Sequence, residues 1–182
     1  MIPLLATTIQ LHALTPKQVR RLERGEVVVS LRSEPDGSPH GTSIGILNKP
    51  VERVWALMTD YDKYSSLYTG VPKSQVNWRE GNRAEVYLGL WFPWPMPGRW
   101  VTLEFEERPD RYEFEWSRKS GSVRRYEGLA RFSDWPGNRT LMRFDAVIDP
   151  AFPLLPKWLL GYFTAQSLPG IISGPRDYLS RN

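Results

Sequence analysis

The chain has 182 residues and a formal net charge of +4, with basic and acidic residues interspersed along its length. It contains no cysteine, which excludes disulfides, thiolate nucleophiles and cysteine-ligated zinc. No block of five or six like charges occurs, so the pattern predicts a solvated surface and no nucleic-acid partner.

The first segment, Met1 to Leu14, is mostly apolar but has no basic residues at its start, so it makes a poor signal peptide as written. No run of 18 apolar residues occurs anywhere, so no transmembrane helix is expected. We therefore predict a soluble protein. The lack of cysteine suits the cytoplasm and the periplasm equally; we favour the cytoplasm and leave the compartment open.

Residues 1–40 are predicted to form an N-terminal extension that packs on the main domain, 41–182. Thr15 as N-cap and Gln18 as capping-box partner predict a helix over 16–24. A strand is predicted over 26–32, rich in valine. The following loop, rich in Pro, Gly, Asp and Ser, marks the boundary.

Two short helices are predicted after the first core strand, 42–47. The first opens at Pro50 and the second follows Asp60. From Ser74 onward, alternation of apolar and polar residues predicts a meander of about five or six antiparallel strands joined by short turns. The order of elements is that of an α+β protein.

The C-terminal run, 153–179, carries two apolar stripes at helical spacing. The first comprises Leu155, Trp158, Leu159, Tyr162 and Phe163, and the second Leu168, Ile171, Ile172 and Leu179. The stripes lie on roughly opposite sides, and the change falls at Pro169. This pattern predicts a long helix broken or bent near Pro169, lying on the sheet.

The segment 90–100 is unusually rich in proline and tryptophan for a connection between two strands. It either folds back to cap the core, gates a cavity, or forms an apolar tip that touches a membrane. Arg99 either pairs with an acid such as Glu104 or binds a ligand head group.

Residues that could carry catalysis are few. Both histidines, His12 and His40, precede the main domain, and no glycine-rich phosphate loop is present. Chemistry would fall to polar residues of the strands, namely Arg83, Arg99, Arg125, Tyr126, Arg143 and Asp145. Arg143 and Asp145 share a face, which fits a site or a structural ion pair equally. We predict no catalytic residue, no metal site and no cofactor.

Three stretches carry a resemblance to a known family. Residues 41–64, GTSIGILNKPVERVWALMTDYDKY, resemble the start of the START/Bet v 1-like (SRPBCC) helix-grip superfamily. Residues 148–171 are similar to the closing helix of its bacterial polyketide-cyclase/dehydrase and coenzyme-Q-binding branch. Residues 93–101 look like the proline-rich loop and following arginine of START lipid-transfer domains. The resemblance covers roughly residues 41–180.

This resemblance implies a helix-grip fold, in which a curved antiparallel sheet of about seven strands wraps around the last helix and leaves a tunnel between them. Such tunnels take lipids, sterols, quinones or polyketides. The branch includes transfer proteins, non-catalytic binders and some cyclases.

We therefore expect a binder or carrier of a hydrophobic small molecule, such as a lipid, quinone, isoprenoid or polyketide. The alternatives are a polyketide cyclase or aromatase, and a non-catalytic module that contacts a partner or a membrane through residues 91–100. The candidate cavity or gate residues are Val86, Leu88, Leu90, Trp91, Trp94, Met96, Arg99, Phe105, Phe114, Trp116, Tyr126, Phe144, Trp158, Leu159, Tyr162 and Phe163.

Overall fold

The computed structural model describes residues 14–94, 96–152 and 155–182. The α-helices in this part of the chain are α1 (Pro16–Glu23), α2 (Val51–Met58), α3 (Tyr64–Leu67) and α4 (Lys157–Arg181). The strands are β1 (Val28–Ser33), β2 (Pro39–Leu47), β3 (Lys73–Glu80), β4 (Arg83–Leu90), β5 (Arg99–Arg108), β6 (Glu113–Gly121), β7 (Arg125–Trp135) and β8 (Arg139–Asp149).

All of these strands belong to one antiparallel sheet, in the order β1-β2-β8-β7-β6-β5-β4-β3. The predicted meander is present as β3 to β8, and its neighbours along the chain are also neighbours in space. With β2 the sheet has the seven strands expected from the resemblance, and β1 adds an eighth at one edge. The predicted α+β helix-grip fold is confirmed.

The N-terminal helix begins as predicted. Thr15 Oγ1 accepts a hydrogen bond from the Gln18 amide at 3.3 Å, and Gln18 Oε1 accepts one from the Thr15 amide at 2.9 Å. The helix ends one residue earlier than predicted, before Gly25, whose φ of 79° favours glycine. Residues 1–13, including His12, lie outside the described residues.

The loop between β1 and β2 is shorter than predicted, because β2 begins at Pro39. His40 therefore lies within β2, paired with Arg32 of β1 and with Val147 of β8. The first strand of the N-terminal segment thus continues the sheet.

The two faces of the sheet bury separate apolar clusters. The outer face packs against α1 through Leu22, Val28, Ile44 and Ile46. The inner face holds the main core, which includes α2, α3 and the second half of α4.

The terminal helix α4 is unbroken over its 25 residues, with Pro169 and Pro175 inside it. The change of apolar face predicted near Pro169 is present in its burial. Leu168 and Ile172 are buried, whereas Trp158 is 74% exposed and Tyr162 is 55% exposed. Only the second stripe therefore packs into the core. No helix in the described part of the chain has the length and apolar character needed to cross a bilayer.

Candidate functional site

A cavity of about 930 Å³ lies between the inner face of the sheet and α4. Its volume falls in the range of about 300–1,000 Å³ that small-molecule sites occupy. The wall from the sheet consists of Leu88, Leu90, Leu103, Phe105, Phe114, Trp116, Tyr126, Phe144 and Ile148. The other wall is formed by α3, the loop that follows it and α4, together with residues 91–93.

The aromatic part of the sheet wall follows from strand alternation, which places every second side chain on one face. Phe114 and Trp116 of β6 point inward, and Phe144 of β8 and Tyr126 of β7 meet them. The Trp116 ring lies 4.9 Å from the Phe144 ring and 6.1 Å from the Tyr126 ring, centroid to centroid. Such contacts fix the orientation of large apolar side chains.

Two glycines of β2 explain how α4 lies so close to one side of the sheet. A Cβ at Gly41 would lie 2.6 Å from the Leu168 side chain, and one at Gly45 would lie 2.3 Å from that of Ile172. Between them, the Ser43 hydroxyl donates a hydrogen bond of 2.7 Å to the Leu168 carbonyl. The helix is thus held on β2, and the cavity lies under it towards β4.

The last turns of α4 have two further attachments. Arg176 donates to the Ile46 carbonyl at 2.9 Å and to the Gly25 carbonyl at 2.9 Å, and burial lowers the pKa of its guanidinium. A Cβ at Gly174 would lie 2.1 Å from the Leu67 carbonyl oxygen, so α3 touches the helix backbone there. These contacts fix the second half of α4 against β2 and α3.

The polar groups deep in the cavity are neutral hydroxyls. Burial raises the pKa of Tyr64 and Tyr68, and it raises the pKa of Tyr126 to about 12. All three phenols therefore keep their protons at neutral pH. Among the described lining residues the charged ones are Asp177 and Arg181, and both are exposed to solvent at the rim.

The proline-rich segment lies beside the cavity. Trp91, Phe92 and Pro93 line it, and the Phe92 ring packs edge to face on Phe152 at 5.1 Å. Trp94 is 91% exposed. Pro95 lies outside the described residues.

The prediction that Arg99 pairs with Glu104 is wrong. Its guanidinium donates to the carbonyls of Pro150 at 2.8 Å and Ala151 at 3.2 Å, and it stacks over the Phe152 ring. Glu104 pairs with Arg83 and Lys119 instead. Arg99 therefore ties the start of β5 to the segment before α4.

Nine of the predicted site residues meet in the cavity lining. They are Leu88, Leu90, Trp91, Phe105, Phe114, Trp116, Tyr126, Phe144 and Phe163. The others lie outside it, and they are Val86, Trp94, Met96, Arg99, Trp158, Leu159 and Tyr162. Val86 is fully buried in the core, while the α4 residues of this group precede the part of the helix that packs on β2.

Sequence reasoning missed the wall formed by α3 and by the second half of α4. Tyr64, Tyr68, Ile171 and Tyr178 all line the cavity. The sequence held a signal for both, because Tyr64 lies in the short helix predicted after Asp60 and Ile171 belongs to the second apolar stripe of α4. Neither pattern alone shows which stripe faces a hollow.

The other polar candidates point away from the cavity. Phe144 faces the cavity, so its neighbours Arg143 and Asp145 face the opposite side. Arg143 Nε donates to Asp145 Oδ2 at 2.8 Å, and the Thr42 hydroxyl donates to Asp145 Oδ1 at 2.6 Å. This is a partly buried structural ion pair.

The candidate Arg125 and the histidine His40 also have structural partners. Arg125 pairs with Glu127 and Asp36. His40 Nδ1 lies 2.8 Å from Glu34 Oε1. No group of three or more His, Cys, Asp or Glu side chains placed to hold a metal ion occurs in the described ranges.

Comparison with known proteins places this geometry in context. The family model described as polyketide cyclase/dehydrase and lipid transport matches residues 45–173. No curated protein sequence gives a significant match. The family match confirms the resemblance predicted from the sequence.

Solved structures share the fold at low identity. A Thermus thermophilus protein aligns with a TM-score of 0.70 and 19% identity, covering 76% of this chain and 95% of that one. The STAR-related lipid transfer protein of Xanthomonas axonopodis aligns with a TM-score of 0.70 and 13% identity, covering 85% and 93%. The Zhui aromatase/cyclase of a Streptomyces species aligns with a TM-score of 0.66 and 13% identity, covering 84% and 95%.

Proposed function

We propose that this chain, which belongs to the polyketide cyclase/dehydrase and lipid transport family, binds a hydrophobic small molecule between its sheet and α4. The observation that carries the proposal is the cavity of about 930 Å³ with an apolar, largely aromatic sheet wall. Burial of apolar ligand surface there would supply a gross driving force of about 25 cal/mol per Å². The ligand class is a lipid, quinone, isoprenoid or polyketide.

In this proposal each part of the chain has a distinct task. Residues 41–182 form the binding domain, and residues 14–40, the described part of the extension, pack on it. Residues 91–93 are the gate, because they line the cavity while Trp91 is 59% exposed. Opening the gate would separate the Phe92 ring from Phe152 and break the hydrogen bond of 2.9 Å from the Trp91 amide to the Gly70 carbonyl.

Binding fits the geometry better than the cyclase alternative. An enolising reaction needs a general acid or base whose pKa lies near the working pH, held at the substrate. Burial moves the pKa of Tyr126 upward to about 12, away from that range. Asp177 and Arg181 stand at the rim, where solvent screens them.

The binding proposal is tested by titration with the neutral probe N-phenyl-1-naphthylamine, whose fluorescence rises in apolar surroundings. We expect one saturable site in the micromolar range, with displacement of the probe by a short-chain ubiquinone or a sterol. A fluorescence rise that never saturates, or that no hydrophobic competitor reverses, would remove the proposal.

A second proposal concerns delivery of the ligand at a membrane, and it is favoured by the exposed tryptophans Trp91 in the gate and Trp94 directly after it. Tryptophan partitions well into the interfacial region of a bilayer. We expect wild-type protein to sediment with phosphatidylcholine vesicles and Trp94→Ala to sediment several-fold less. Trp78→Ala, on the edge strand β3 and outside residues 91–100, is the control and should behave as wild type. Equal sedimentation of all three proteins would argue against transient membrane contact through residues 91–100.

A further inference from the structure

The two edges of the sheet are built differently. At one edge, β3 carries three charged residues, its pairing with β4 contains a register shift, and the Val76 amide donates to the Asp62 carboxylate at 2.7 Å. Charges, bulges and covering groups of this kind keep an edge strand from pairing with another chain. At the other edge, β1 pairs with β2 without a shift, and its sequence VVSLRS holds one charged residue, Arg32, and no proline. Within the described ranges no other strand pairs with the free side of β1.

An exposed apolar surface lies beside this free edge. Strand alternation places Val29 and Leu31 on the side of β1 that faces α4, and they are 39% and 41% exposed. A Cβ on Gly161 of α4 would lie 3.4 Å from the Leu31 side chain, so the helix touches the strand there. Trp158 and Tyr162 lie within one helical turn of Gly161, and both are more than half exposed. We call Val29, Leu31, Trp158 and Tyr162 the edge patch.

The edge patch is large for a surface that faces water. A buried aromatic side chain contributes about 150–250 Å², so Trp158 and Tyr162 leave roughly 200–300 Å² of aromatic surface in solvent beside Val29 and Leu31. Monomers rarely expose a contiguous apolar patch of more than a few hundred Å². A stable interface buries about 800 Å² per partner, and the edge patch with the main chain of β1 supplies roughly half of that area.

A second copy of the chain fits this edge. Antiparallel pairing of β1 with itself about Ser30 follows a twofold axis and sets Val29 opposite Leu31 of the second copy. Both edge patches then lie on the same side of the joined sheet. The two Arg32 side chains would lie about 14 Å apart along the strands, so their repulsion is weak. Each guanidinium also lies 3.6 Å from the Glu34 carboxylate of its own chain.

The position of α4 suits the same arrangement. The helix lies over β2, where Gly41 and Gly45 admit its side chains, and it reaches β1 at Leu31. In the joined sheet the two β2 strands would be three strand spacings apart, about 14 Å. Helices in direct contact are about 8–10 Å apart, so the two copies of α4 would leave a gap that large side chains can fill. Trp158 and Tyr162 are side chains of that size.

We propose that the chain forms a symmetric dimer through β1, in which the two sheets join into one and the edge patches pack against each other. Main-chain hydrogen bonds between the two β1 strands set the register, and burial of the edge patch stabilises the pair. None of the edge-patch residues lines the cavity. The dimer therefore stands or falls independently of ligand binding.

Sedimentation velocity tests the dimer at protomer concentrations from about 1 to 100 µM. We expect wild type to sediment as a dimer at the upper concentrations and Leu31→Lys as a monomer with an unchanged circular dichroism spectrum, because lysine protects edge strands. Trp94→Ala removes an exposed tryptophan outside the edge patch, and this control should dimerise like wild type. A wild-type monomer throughout the range, or a dimer that Leu31→Lys leaves intact, would overturn the proposal.

Cross-linking tests the register on an otherwise native surface, because the chain has no cysteine of its own. Ser30→Cys should give a disulfide-linked dimer under mild oxidation, since residues directly opposite in a strand pair have Cβ atoms about 4.5–5.5 Å apart. Gln75→Cys is the matched control, an exposed polar residue at the third position of the other edge strand, and should remain monomeric. Equal cross-linking of the two variants would overturn the pairing. A monomeric wild type whose variant lacking residues 1–13 dimerises would assign the edge to that segment and would also overturn it.

Discussion

Gly45→Ala is expected to destabilise the fold by about 2–3 kcal/mol, a large effect for the addition of one methyl group. The new Cβ would lie 2.3 Å from Cγ2 of Ile172, which is fully buried and has no room to withdraw. Relief requires α4 to move off β2, which also strains the bond from the Ser43 hydroxyl to the Leu168 carbonyl. Urea denaturation, monitored by circular dichroism, measures the decrease in the free energy of unfolding.

Gly89→Ala is the matched control for this substitution. Gly89 also lies within a strand of the sheet, but a Cβ there would meet Lys73 at the ordinary distance of 3.4 Å. Its stability should stay within about 0.5 kcal/mol of wild type. Equal stability of the two variants would show that the close approach of α4 to Gly45 is not what holds the helix.

Gly170→Trp is expected to abolish ligand binding without loss of stability. Gly170 lines the cavity, and a Cβ at this position would meet nothing within 4 Å. Gly170 is exposed at the rim of the cavity, so a tryptophan there can cover its mouth, and affinity for N-phenyl-1-naphthylamine should fall by more than tenfold. Replacing a helical glycine also favours the helix by about 0.5–1 kcal/mol, so the melting temperature should hold or rise.

Gly170→Ala separates the loss of ligand binding from the gain in helix stability. It should gain at least as much helical stability while leaving the cavity open, so its affinity should match that of wild type. A Gly170→Trp protein that binds the probe normally would argue against entry of the probe past Gly170.

Strand alternation and helical periodicity were enough to predict the fold and much of the sheet wall. A strand repeats every two residues, so identifying Phe114 and Trp116 as one face also fixed which side chains could meet across the sheet. The capping box at Thr15 was equally local, because it depends on residues three apart.

The helix wall could not be predicted in the same way. Both stripes of α4 have helical spacing, and the choice between them depends on Gly41 and Gly45 of β2, more than 120 residues away in sequence, which admit Leu168 and Ile172. Without that contact, the larger aromatics of the first stripe looked like the better lining, although Trp158 and Tyr162 are exposed.

The partner of Arg99 shows a second limit of prediction from sequence. Its acceptors are the main-chain carbonyls of Pro150 and Ala151, where Ala151 has a φ of 58°. Every residue carries a carbonyl, so sequence identity gives no sign of which one will be free to accept. A search among acidic side chains could only suggest Glu104.

The central claim is that the space beneath α4 holds one hydrophobic molecule. Native mass spectrometry of the protein incubated with N-phenyl-1-naphthylamine tests it most directly, with wild type and Gly170→Trp measured side by side. We predict a single adduct of one probe molecule per chain for wild type and none for Gly170→Trp. Adducts of equal abundance on both proteins, or on neither, would contradict the account.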